Sequence, residues 1–64
     1  MKDFQQRVID ERIELDEKRE KLEAFFHTDT FNSLSRNEQL LLQRQYAIMT
    51  IYSQTLEKRI ELFF

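Results

Sequence analysis

Gln45, Tyr52 and Arg59 recur at intervals of seven in the stretch LLLQRQYAIMTIYSQTLEKRIELFF, residues 40–64. Leu42, Met49, Leu56 and Phe63 keep the same interval three residues ahead of them. An amide, a phenol and a guanidinium planted in an apolar helical repeat are the groups that a nucleotide site uses. Arg59, with Arg7 of the N-terminal half, can hold phosphate through charge-assisted hydrogen bonds. Tyr52 can stack on a base and Gln45 can read a base edge. Glu11 and Lys18, also seven apart, can orient those groups or touch the ligand themselves. The same pattern has a plain structural reading, in which polar groups at core positions fix register and oligomer state at some cost in stability.

Catalytic chemistry finds less support. His27 is the one histidine and there is no cysteine, so neither a Ser-His-Asp nor a Cys-His arrangement can be assembled within one chain. Glu23 and His27 are four apart rather than in the Glu-x-x-His spacing of di-metal helical bundles. The acids of DERIELDEKREKLE alternate with Arg and Lys at helical spacing, the pattern of a solvated, ion-paired face. No enzyme activity, metal or other cofactor is expected.

A formal net charge of −2, with both signs interspersed, supplies no single-sign field for duplex nucleic acid or an anionic membrane surface. No apolar run approaches the roughly 20 residues of a membrane span, and the N-terminus lacks the hydrophobic core of a signal peptide. The chain is expected to be soluble, unprocessed and cytoplasmic.

The elements that must position these groups follow from caps and periodicity. With neither Gly nor Pro in the 64 residues, breaks are marked by HTDTFNSLSRN, whose Thr, Ser, Asn and Asp side chains compete for backbone hydrogen bonds. Ser35-Arg36-Asn37-Glu38 fits a capping box, in which the serine hydroxyl bonds the amide three residues on and the glutamate reaches back. These signals predict an all-α fold, a single antiparallel helical hairpin over residues 1–64. Its helices run over about 2–27 and 35–63, joined by a turn over 28–34. Phe31 and Leu34 should form a short helical turn over the closed end, with Phe63 and Phe64 capping the open end against Phe4.

Projection of the first helix places Phe4, Val8, Leu15, Leu22 and Phe25 on one stripe, with Glu11 and Lys18 inside it and Ile9 and Ile13 nearly opposite. On the second helix, Leu41, Ile48 and Leu62 flank one side of the apolar face and the Leu42 row flanks the other. Gln45, Tyr52 and Arg59 lie between the two rows, at the centre. One narrow stripe cannot cover that width, and Ile51 widens it further. A chain this short, without disulfide or metal, also needs stabilisation from outside itself. Both arguments predict a homo-oligomer, dimer or tetramer, that forms a helical bundle.

FQQRVIDERIELDEKREKLEAFF, followed by EQ and LLLQRQYAIMTIYSQTLEKRIELF, resembles a family of very short helical proteins of tailed phages, over nearly the whole chain. The matching elements include Gln6-Arg7-Val8, Glu11 and Lys18 in the first arm and Gln45, Tyr52-Ser53 and Arg59-Ile60 in the second. Arg12 stands where such sequences often carry Lys. Small oligomeric phage proteins of this type include anti-defence sponges, which sequester the cyclic nucleotide signals of bacterial immune systems such as CBASS and Thoeris without cleaving them. The resemblance therefore implies binding of a cyclic nucleotide by Arg7, Glu11, Lys18, Gln45, Tyr52 and Arg59. A helical adaptor that binds a host protein through Ile9, Ile13 and Ile51, and a purely structural oligomer, remain as alternatives.

Overall fold

A computed structural model describes residues 2–64. The chain is all-α: α1 spans Asp3–Phe25, a short α2 spans Asp29–Ser33 and α3 spans Arg36–Glu61, with no strand among the described residues.

Each boundary has a local cause. Before α1, the Gln5 side-chain oxygen accepts from the Lys2 amide at 3.1 Å, satisfying a donor that the helix leaves free. After α1 the chain tightens into bonds from His27 N to Ala24 O and from Thr28 N to Phe25 O. The Thr28 hydroxyl then serves two helices, donating to Phe25 O at 2.7 Å and accepting from Phe31 N at 3.2 Å. This double use ends α1 at Phe25, two residues before the predicted His27, and starts α2. Ser35 caps α3 by accepting from Glu38 N at 3.2 Å. Among the described residues the Glu38 side chain makes no bond back to the Ser35 amide; separately, Gln39 Nε2 donates to Phe31 O at 3.0 Å, tying α3 to the short helix. At the far end Lys58 and Arg59 occupy the last turn of α3, where a helix favours positive charge.

α1 and α3 run antiparallel, as four contacts along their length record. Phe4 meets Phe63 edge-to-face, Arg12 reaches Glu57, Asp16 binds Ser53 and Glu23 binds Tyr46. Between them lie buried Val8, Leu15 and Leu56, flanked by half-buried Met49, Ile60 and Phe63. Leu56, at 0% exposure, is the centre of the core. Phe31 is buried at the closed end against Phe25 and Phe26, and Phe26 continues the edge-to-face series to Tyr46. Phe64 is 84% exposed, so at the open end Phe63 alone meets Phe4.

The helices are turned differently from the sequence projection. Of the two apolar rows of α3, the one containing Met49, Leu56 and Phe63 faces α1, together with Ser53 and Ile60. The other row, Leu41, Ile48 and Leu62, is exposed. Gln45, Tyr52 and Arg59 therefore lie on the outer flank of the buried face instead of at its centre. On α1 the half-buried set includes the charged residues Arg12, Asp16 and Arg19, while Glu11 and Lys18 are exposed. Ile9 is half-buried and Ile13 exposed.

Candidate functional site

The contacts between the helices fix which side each candidate occupies. Advancing about 100° per residue from the buried positions, Arg7, Glu11 and Lys18 fall on one flank of α1. Gln45, Tyr52 and Arg59 fall on one flank of α3 by the same construction. Because the helices run in opposite directions, these two flanks form the same broad side of the pair. All six residues are exposed, Tyr52 at 43%. None has a side-chain hydrogen bond or an ion pair with any described residue.

The levels along this side follow from the register. Asp16 stands opposite Ser53, so position 17 is level with Tyr52, and Lys18 lies beside it. Arg12 stands opposite Glu57, so Glu11 is close to the level of Arg59, with Arg7 about one turn further out. The face thus gathers Arg7, Glu11 and Arg59 into one cluster and Lys18 with Tyr52 into another. Gln45 is left apart, about 21 Å from Arg59 along α3 at 1.5 Å per residue. One chain cannot close Gln45 and Arg59 on the same small ligand. Arg59 is also exposed, so the expectation of a buried charge in need of a partner does not hold within a single chain. Among the described residues no enclosed pocket opens on either side.

The opposite broad side holds a polar cluster that sequence reasoning missed. Ser53, 2% exposed, donates to Asp16 Oδ1 at 2.6 Å, and Arg19 donates to the same oxygen at 2.9 Å. Arg12 lies 3.6 Å from Asp16 Oδ2 through Nε and donates to Glu57 at 3.3 Å through its terminal nitrogen. Arg19 also stacks over Tyr46, its guanidinium carbon 5.7 Å from the ring centre. The Ser53 hydrogen bond, assisted by Arg19 and Arg12, holds the Asp16 carboxyl below its ordinary value against the opposing effect of desolvation. The signal for this cluster was in the spacing: Arg12 and Arg19 are seven apart, and so are Tyr46 and Ser53. Since every partner is internal, the cluster acts as a positioning device that sets the register of the candidate face.

The geometry defines a small all-α protein with one broad side internally tied and the other left open, polar and apolar groups mixed on it. The chain belongs to the Sequestin family, whose model matches residues 2–62. That range takes in both long helices and all six candidate residues. No curated protein and no solved structure matches the chain.

Proposed function

We propose that this protein is a phage anti-defence protein that sequesters a cyclic nucleotide immune signal in the cytoplasm of an infected bacterium, without cleaving it. It acts as a homo-oligomer, a dimer or tetramer of helical hairpins. The family name supports capture as the activity. The observation that carries the reading is the open broad side, where, among the described residues, Arg7 and Arg59 gather without an ion-pair partner, roughly 10–15 Å along the pair from Lys18 and the exposed ring of Tyr52. Unpaired guanidinium groups on the same side of the pair as an uncovered aromatic suit a ligand with phosphates and bases. Glu11, on the same side, is free to contact the ligand, and Gln45 reads a base edge.

Calorimetry with cyclic dinucleotides, cyclic trinucleotides and cyclic ADP-ribose isomers tests the proposal. One of these should bind the intact protein and be recovered unchanged, with affinity that falls as salt is raised. Arg59→Ala should remove binding while leaving the helical content intact. Failure of every compound in the set to bind rejects the reading and leaves the host-protein adaptor, for which exposed Ile13 and Ile51 are the first residues to substitute.

A further inference from the structure

The open side is self-complementary about one level of the molecule. On α3, the outward stripe Leu41, Gln45, Ile48, Tyr52, Thr55, Arg59 keeps the alternating four-and-three spacing of a helix seam and ends at Leu62. Gln45 and Arg59 are equally distant from Tyr52, and Leu41 and Leu62 nearly so. If the stripe is turned end for end about Tyr52, each leucine faces a leucine and each Arg59 faces a Gln45.

α1 repeats the symmetry in charge. Its exposed flank reads Arg7, Glu11, Glu14, then Lys18, Lys21; inside the outlying Arg7, the four inner charges place acids on one side of position 16 and bases on the other. The Asp16–Ser53 hydrogen bond places position 17 level with Tyr52. The charge pattern of α1 and the apolar pattern of α3 therefore share a centre to within about one residue, or about 1.5 Å. A two-fold axis through that level sets Glu14 against the second copy's Lys18 and Glu11 against its Lys21. It also sets α3 against α3 in the same antiparallel sense.

The surface area asks for such a cover. The chain exposes 5065 Å². A compact folded chain of 7.9 kDa exposes about 4,400 Å². The excess, about 650 Å², approaches the roughly 800 Å² that each partner contributes to a standard interface. Leu41, Ile48 and Leu62, all more than half exposed, lie on this side.

We infer that two copies of this chain pair through the open side about a two-fold axis at Tyr52, each ligand cleft drawing Arg7 and Arg59 from one chain and Gln45 from the other. The pairing closes the gap that one chain leaves between Gln45 and Arg59. It stands on the surface pattern alone, whereas the composite cleft rests on the nucleotide reading above.

The absence of cysteine from these 64 residues makes the pairing directly testable in the intact chain. Tyr52→Cys should form a disulfide-linked dimer on mild oxidation. Gln45→Cys and Arg59→Cys should each crosslink poorly alone and readily when mixed. Ile48→Cys mixed with Thr55→Cys supplies a second pair that spares the candidate residues. Glu14→Lys should weaken dimerisation by about tenfold, and adding Lys18→Glu in the same chain should restore it. A monomer in light scattering, self-crosslinking of Gln45→Cys at the rate of Tyr52→Cys, or no rescue by the double charge reversal overturns the pairing. Mixing Gln45→Ala with Arg59→Ala chains should regain one intact cleft per mixed dimer for whichever cyclic nucleotide binds the intact protein; no regain, with crosslinking as expected, overturns the composite cleft. If no cyclic nucleotide binds the intact protein, the sequestering reading fails while crosslinking still decides the pairing.

Discussion

On one broad side of the α1–α3 pair, Asp16 receives hydrogen bonds from Ser53 and Arg19, and Arg12 bridges Asp16 to Glu57. On the other, Arg7, Lys18 and Arg59 are exposed and have no carboxylate partner among the described residues. Both sides use polar residues at heptad spacing, so periodicity alone does not separate a group that fixes structure from one available to a ligand. What separates them is reach. Ser53 and Asp16 point toward each other across the seam, where a short hydroxyl fills the gap between two helices. Tyr52 and Arg59, rotated outward, carry long side chains to a surface that α1 does not cover.

The sharpest way to break the contrast is to remove what both sides share. Leu56→Ala, at the fully buried centre, should cost about 2–5 kcal/mol in urea unfolding and loosen the register on which the proposed binding depends. Ser53→Ala strikes the closed side alone. It removes a hydrogen bond to a charged acceptor, with an expected loss of about 1.5–3 kcal/mol and no direct effect on the open-side groups.

The pH response sharpens the same point. Because the folded-state value of Asp16 is lowered from 3.8, its contribution is complete above that value and is lost as pH falls through the lower, folded-state value. Asp16→Asn should therefore flatten the acid side of the stability profile and leave its neutral side parallel to the parent. Smaller still is the Arg12–Glu57 pair, partly exposed at both ends. A double-mutant cycle should return about 0.2–1 kcal/mol, falling with salt. At the bottom of the scale, Arg59→Ala should move unfolding by less than about 0.5 kcal/mol, because its side chain has no hydrogen-bond or ion-pair partner among the described residues, while the proposed nucleotide capture should be lost.

The all-α class, the Ser35 cap and the burial of Phe31 were legible because each rests on local chemistry: a hydroxyl followed by a free amide, or an apolar residue among turn formers. The rotation of the helices was not. Projection weighs every apolar residue equally, and α3 has two apolar rows of similar strength, so the centre of the combined face fell on Gln45, Tyr52 and Arg59. The choice between the rows is made by α1, through Asp16 meeting Ser53 and Arg12 meeting Glu57, and a single helix carries no record of that pairing. Glu11 and Lys18 were misplaced into the buried stripe for the same reason. The grouping of the candidates on one side, by contrast, is encoded in their shared heptad phase and survives the rotation.

The closed end also sets the order in which the chain can assemble. Phe31 meets Phe25 and Phe26 across a loop of only a few residues, so its contacts form at little entropic cost, whereas Phe4 and Phe63 must close nearly the whole chain. Loop-closure entropy therefore favours a zip that starts at the Phe31 end, each new level shortening the loop that the next must close, with the open end expected to join last. In hydrogen exchange this becomes a gradient, with amides near Leu42 and Leu22 outlasting those near Ile60 and Val8. Arg7 and Arg59 sit on the fast-opening end, where a captured ligand would slow exchange the most.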